Sequence, residues 1–582
     1  MTLMQGHNAI KASSSSPFRT TALLFVVSLI ILIVIIGMVV EVLADIPVHC
    51  IHHNIGNNEW RLYISPPLYS LQEDERAQSI QRKQHIPLNC TRMEREDVDI
   101  ARVVKVYLQL PNIVRSENKN GNVIGTWTMV YDQGFEITLV QNNYEMSMFA
   151  FSMFEKVNST SELIRSKCHQ TFVGNYRKSP YGQKNAASFG CYYAEKVYPQ
   201  PTDVKVSLPI NTLLYKYYDP KNQGKGLNVN NDPSFDSLAD ELGLDLRLMR
   251  TYDPKEKFKT DRNLIDWINT QSDHLGWTAR SYSQFEQFTN EEMERMNGAR
   301  SILVDKSDLK KPENNPILEE ETFNIASDEL DLTPPLPDNF DWRNVSGENY
   351  LTEVKNQRSC GSCYAFAAVT AIESRIRIQT KNKLKPLLAV QDIISCSPYA
   401  QKCHGGIPYS IGRHLRDFTL VPESCFPYTA SEHIPCDSKC SNPPYIVKVK
   451  DYKYVGDFYG AGNEENMRRE IYRHGPVSVS YLVYPDFKYY SNGIYRHSGY
   501  GYPMKKDRIK HTNNGWEPTT HSVVITGWGV DPVTGQKYWN VMNSWGRKWG
   551  EEGFFKIARG QDECAIEAEP VAFYPQVIYT NA

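Results

Sequence analysis

The chain lacks an excess of charge of either sign. Its 582 residues hold 64 basic and 67 acidic side chains, a formal net charge of -3, with acids and bases mixed rather than gathered in blocks. That balance removes the electrostatic footprint of a nucleic-acid partner. The aromatic content of 12%, with 35 tyrosines, therefore reads as β-structure and wet pockets rather than base-stacking platforms. Long apolar runs are scarce as well. The exception, Ala22 to Val40, follows a basic, serine-rich lead (Lys11, Ser13 to Ser16, Arg19) and is roughly long enough to span a bilayer. Residues 1–44 are expected to be a targeting segment, either a cleaved signal peptide or an uncleaved signal anchor, and membrane contact is expected only through residues 22–40 in the second case. Val42-Leu43-Ala44 suits signal peptidase, and a cut after Ala44 leaves Asp45 as the new N-terminus.

Such a leader sends the remainder into an oxidising lumen, where 12 cysteines are candidates for disulfides rather than zinc ligands. No metal is expected. Sequons at Asn89, Asn158 and Asn344 fit that compartment. The length predicts three or four structural units. From Asp45 to Gln200 the pattern has period two: Trp127, Met129 and Tyr131 alternate before Asp132-Gln133-Gly134, and Phe135, Ile137 and Leu139 alternate after it. This predicts a hairpin within a small antiparallel sheet or barrel. Residues 201–335 change character, with Asn, Asp and Gly clusters, a helical stretch at Asn263 to Ile268 and a Pro-punctuated acidic end, and read as a removable propeptide or activation spacer. Residues 336–582 hold the remaining eight cysteines and every motif that carries chemistry.

Asn356 to Phe366 leads into a helical pattern with Phe366, Val369, Ile372 and Ile376 on one face and Arg375 and Arg377 expected outside. Cys363 then stands at a helix N-terminus, where free N–H groups and the helix dipole favour a thiolate. A Cys-x-x-Cys alone leaves redox and metal readings open, but distant residues supply partners. His521 heads the apolar run Ser522 to Thr526, and a turn at Asp531-Pro532-Val533-Thr534-Gly535 precedes a strand at Tyr538 to Met542 and then Asn543. If those strands pair antiparallel, His521 and Asn543 fall nearly opposite each other, so that Asn543 can orient an imidazole that takes and returns the thiol proton. Gln357 can donate its side-chain N–H to a developing oxyanion together with the backbone N–H of Cys363. Trp545 can shield the His–Asn bond from water.

Gln357-x-x-Cys360-Gly-Ser-Cys363, Cys403-x-Gly405-Gly406, His521 and Asn543-Ser-Trp-Gly546 resemble the signatures of papain-like cysteine peptidases, with the His and Asn about 160 and 180 residues after the Cys. Tyr364, Arg375 to Ile378, Cys396 to Gln401, Cys425 to Tyr428, Asp562 to Ile566 and Tyr131 to Ile137 resemble the cathepsin C (dipeptidyl peptidase I) family more than its endopeptidase relatives. The resemblance implies an α+β fold: a two-lobed papain-like peptidase domain, one lobe helical and one β-barrel-like, behind an N-terminal all-β exclusion domain at 45–200. It also implies disulfides joining Cys50 with Cys168, Cys90 with Cys191, Cys360 with Cys403, Cys396 with Cys436 and Cys425 with Cys440, with Cys363 and Cys564 left as thiols.

The activity so implied is that of a zymogen-derived cysteine dipeptidyl aminopeptidase, EC 3.4.14.1-like, cutting dipeptides from free N-termini of peptides and proteins through an acyl-enzyme on Cys363. The Asp45 carboxylate would hold the substrate's ammonium group. Chloride would sit at Ile407, Tyr409 and Tyr454, with Ile407 at a position where the family usually carries Phe. An activating peptidase would excise 201–335 and nick the domain near Lys505-Lys506-Asp507-Arg508 into a heavy chain (about 336–506) and a light chain (about 507–582), in an assembly that is tetrameric across the family. The implied place is a lysosome-like or secretory lumen, or secretion. Two alternatives stay open: a papain-like endopeptidase, and an inactive binding protein that keeps the fold.

Overall fold

The computed structural model describes residues 50–71, 90–207, 255–298, 335–499 and 520–580, apart from short stretches within the first two of these. The predicted segment at 22–40, Asp45, the sequons Asn89 and Asn158 and the nick site at 505–508 lie outside the described residues. Among those described, no helix is long and apolar enough to cross a membrane.

The N-terminal unit is a closed antiparallel barrel. Strands Asn58–Ile64, Arg102–Gln109, Ile113–Ser116, Val123–Val130, Gly134–Gln141, Tyr144–Lys156, Gly174–Pro180 and Ala187–Lys196 follow one another around it, and the last pairs back onto the first, Leu62 opposite Ala194. Closure leaves no unpaired edge around the ring. The predicted hairpin is present, with Trp127 opposite Ile137 and Met129 opposite Phe135. Trp60, Trp127 and Phe135 fill the interior. The disulfides Cys50–Cys168 and Cys90–Cys191 brace the barrel.

The C-terminal unit has a helical side and a sheet side. The helical side holds helices Cys363–Gln379, Val390–Cys396 and Pro408–Asp417, and its loops are tied by the disulfides Cys360–Cys403, Cys396–Cys436 and Cys425–Cys440. Asp392, Cys396 and Cys436 lie together, but the two sulfurs are bonded to each other and Asp392 pairs with Lys439 at 3.0 Å, so the cluster offers no thiolates to a metal. The mixed sheet places Thr520–Val530 centrally between Lys537–Met542 and Val477–Leu482.

Arg375 corrects the expected helix face. It is 1% exposed rather than outside. Its guanidinium donates to Glu470 at 2.8 Å and to the carbonyls of Pro476, Phe573 and Gly475. A buried cation persists only with such partners.

The spacer also has structure of its own. Residues 255–298 form a helix, Arg262–Thr270, capped by Asp261 accepting from the Leu264 N–H, and a strand, Trp277–Ala279, added to the sheet edge at Tyr490–Tyr495. The amphipathic helix buries Leu264, Ile265 and Ile268, which explains why a helix persists in a segment otherwise rich in breakers.

Candidate active site

Cys363 is the first residue of its helix and is buried, with Ser362 as N-cap. The loop before it is held from several sides. The Gln357 N–H donates to the Ser544 carbonyl at 2.9 Å, and Tyr428 Oη donates to the Gln357 carbonyl at 2.7 Å. The Ser544 hydroxyl donates to Gln357 Oε1 at 2.6 Å, which turns Gln357 Nε2 toward the cleft as a donor. This clamp fixes the amide orientation that oxyanion stabilisation requires.

On the opposite wall His521 Nε2 meets Asn543 Oδ1 at 2.7 Å. The pairing of Val524 with Met542 brings Asn543 in just past the end of its strand, so it reaches His521 on the diagonal rather than from directly opposite. An acceptor oxygen on Nε2 makes that nitrogen the N–H of the neutral ring and leaves Nδ1 as the base. The Trp545 ring stacks on His521 with centroids 4.8 Å apart, covering the His–Asn bond. Burial pushes the His521 imidazole down to about 4, while the Asn543 bond and the Met296 backbone pull upward.

Met296 belongs to the spacer, and its carbonyl accepts from Gln357 Nε2 at 2.9 Å. The same segment runs on along the helical wall: the Gly406 N–H donates to the Gly298 carbonyl at 3.0 Å, and a Cβ on Gly298 would meet the Gly361 carbonyl oxygen at 2.2 Å. Upstream, Phe285 packs edge-on to Trp545, and Gln284 donates to the Trp545 carbonyl at 3.0 Å. Residues 284–298 thus lie across the groove. No residue type in 284–298 signals this placement, because the decisive contact is a backbone carbonyl with no side-chain signature.

The barrel reaches the same groove. Tyr131, at the barrel's hairpin turn, places its hydroxyl 3.2 Å from Ser480 Oγ, which lies 2.9 Å from Ser522 Oγ, next to His521 in sequence. Glu136 is seated between Arg413 and Arg416 of the peptidase, at 3.3 and 3.6 Å, and accepts from Tyr452 Oη at 3.0 Å. Of the other predicted residues, Ile407, Tyr409 and Tyr454 gather at the start of helix Pro408–Asp417, with the two tyrosine rings stacked at 4.3 Å. Asn344 is exposed, its side chain accepting from the Gly347 N–H. Cys564 is buried, and its backbone is left-handed, at φ 51°.

Residues 336–574 match the papain family of cysteine proteases. The two-sided domain with its Cys, His, Asn and Gln groove is that of a papain-like cysteine protease. Residues 45–196 match the cathepsin C exclusion domain, and the chain belongs to the cathepsin C family of these enzymes. Cathepsin C of Schistosoma mansoni is 29% identical over 492 residues, 82% of this chain and 89% of that one. Dipeptidyl aminopeptidase 1 of Plasmodium falciparum (isolate 3D7) is 26% identical over 566 residues, 79% of this chain and 80% of its own. Among solved structures, proCathepsin B S9 from Trypanosoma congolense aligns with a TM-score of 0.41 and 23% identity, over 55% of this chain and 99% of that chain.

Proposed function

We propose that this protein is the zymogen of a cysteine dipeptidyl aminopeptidase, acting on peptides and proteins with free N-termini. The observation that carries the exopeptidase reading is the barrel's insertion at the groove, with Tyr131 bonded to the strand beside His521. A wall at that position limits how much substrate fits ahead of the scissile bond. The names of the two relatives agree with it.

In the reaction, His521 takes the Cys363 proton as sulfur attacks the carbonyl carbon. The resulting oxyanion is met by Gln357 Nε2 and the Cys363 backbone N–H. The imidazolium returns the proton to the leaving amine, giving an acyl-enzyme, and a water deprotonated by His521 then releases the dipeptide. Asn543 keeps the imidazole tautomer suited to both steps, and Asp45 is assigned to the substrate's ammonium group.

The zymogen reading is supported by Met296, whose carbonyl takes the donor that the oxyanion needs. An activating peptidase would remove the segment, in a lysosomal or secretory lumen. A chloride would be held by Ile407, Tyr409 and Tyr454 and would shape the pocket for the second substrate residue. The Tyr454 hydroxyl fits that task, being buried with no hydrogen-bond partner among the described residues.

The test is hydrolysis of two matched fluorogenic dipeptides by activated protein, one with a free amino terminus and one acetylated. Selective cleavage of the free amine, abolished in Cys363→Ala, is the expected result. Equal cleavage of both would leave an endopeptidase, and no cleavage of either would leave an inactive scaffold.

A further inference from the structure

His521 is the second residue of its strand, Thr520–Val530, and among the described residues the ladder holds it from one side only: Tyr481 lies opposite, while Lys537–Met542 first pairs with this strand at Val524. A strand end paired on one side is where backbone hydrogen bonds constrain least. The His521 imidazole therefore depends on side-chain ties. One is at Ser522, buried and opposite Ser480 in the register. Their hydroxyl oxygens are 2.9 Å apart, and Ser480 Oγ is 3.2 Å from Tyr131 Oη. The third hydroxyl is brought by the barrel. Tyr131 occupies the turn between Val123–Val130 and Gly134–Gln141, is 2% exposed and has a left-handed backbone at φ 56°. A bulky L residue keeps that conformation only where its surroundings over-determine it. Burial first, and the charge of Glu569 next, push its hydroxyl well above the usual phenol range, with Cys363 among the lesser causes, so the phenol keeps its proton.

Three buried hydroxyls in a row thus run from a strained residue of the barrel to the strand end that carries His521 in the peptidase. We propose that Tyr131 is a positioning residue for His521: through Ser480 and Ser522 the seated barrel fixes the strand end on which the imidazole stands, so the barrel contributes to the rate of the chemical steps as well as to the length of substrate admitted. In this role Tyr131 need touch no reacting atom. It acts by keeping His521 within the narrow geometry that proton transfer from Cys363 demands. The role goes beyond the dipeptidyl peptidase reading and needs only the cysteine peptidase chemistry with the barrel in place. Hydroxyls that merely satisfy one another as buried polar groups would add to stability and leave the rate alone.

The experiment uses activated protein and two readouts: kcat and KM for a fluorogenic dipeptide with a free amino terminus, and the pH-dependent rate at which iodoacetamide alkylates Cys363, with Cys363→Ala as the blank. The variants are Tyr131→Phe, which keeps the ring in the joint, Ser522→Ala, and the two combined. Each single change should lower kcat about three- to tenfold, roughly what one hydrogen bond is worth, with KM within about twofold of the parent. Alkylation below the thiol's own pKa should slow by a similar factor, because the thiolate forms there only with the imidazole in place to take its proton. The double variant should fall no further than the deeper single, since removing either member breaks the same chain. Unchanged kcat and alkylation in both singles, or losses that multiply in the double variant, overturn the proposal. So does a rise in KM at constant kcat, which makes Tyr131 part of the wall alone. Ser522→Ala leaves the barrel's own residues intact and decides the matter should Tyr131→Phe fold poorly or shed its barrel. Slower alkylation in the variants, together with equal cleavage of free and acetylated dipeptides by the parent, would uphold the positioning role and remove only the dipeptidyl reading.

Discussion

Gln357 shows how much positioning one side-chain amide receives: its oxygen is held by Ser544 and its main-chain carbonyl by Tyr428, which leaves Nε2 as the donor proposed to meet the oxyanion. Replacing it with Ala should lower kcat by about 100-fold with little change in KM, since the donor acts on charge that develops after binding. Steady-state kinetics on processed protein would show this, and a matching rise in KM would place Gln357 in ground-state binding instead. His414 offers a second test at this scale. Burial first, and Lys439 next, push its imidazole from 6.5 down to about 3, and neither ring nitrogen has a hydrogen-bond partner among the described residues. The folded state therefore prefers the neutral ring. Its contribution is complete above pH 6.5 and is lost as pH falls toward 3, reaching about 2 kcal/mol by pH 5. Urea unfolding across that range should show the decline, and His414→Leu should flatten it. Such residues were unevenly legible. Cys363, His521 and Asn543 announce themselves by spacing, whereas Arg375 reads as a surface cation because its partners, Glu470 and three carbonyls, lie about a hundred or more residues away.

At the level of elements, the hairpin at 123–141 and the strand pair that carries His521 were visible because their apolar residues alternate and turn residues separate them. The placement of residues 255–298 was not. A helix such as Arg262–Thr270 shows its own amphipathic face but not which surface will cover it. Here the cover is the sheet edge and the groove. Trp277 Nε1 donates to the Arg496 carbonyl at 2.9 Å, and Phe285 abuts Trp545. The double variant Trp277→Ala, Phe285→Ala should loosen this strap. Unprocessed protein should then react with an active-site thiol probe several-fold faster than the parent, since opening the segment limits access. An unchanged rate would place the inhibitory hold elsewhere, at Met296 and Gly298.

Across the whole molecule, the joint between barrel and peptidase is built on Glu136 between two arginines, a contact that no local pattern reveals because its partners are some 280 residues apart. Glu136→Ala leaves Arg413 and Arg416 buried with Asp417 as their remaining shared carboxylate, so the loss stays below the about 3–5 kcal/mol of a fully broken buried pair. Processed Glu136→Ala protein should therefore shed its barrel on size exclusion and begin to cleave the acetylated dipeptide. Retention of the barrel with unaltered selectivity would shift the weight of the joint to Tyr131 and to Tyr459, whose N–H donates to Thr128.

The five disulfides share a trait that bears on this joint: each closes within the barrel or within the helical side of the peptidase, and none ties one unit to the other. While residues 201–335 are intact, the barrel is a tethered neighbour at fixed effective concentration. Were they excised, as proposed, it would become a ligand subject to mass action. Such processing would convert an intramolecular contact into a binding equilibrium, and the length limit on substrates would become a property of dilution: at high concentration the barrel would stay seated and the enzyme an exopeptidase, whereas a large volume would test the dissociation constant of its own wall.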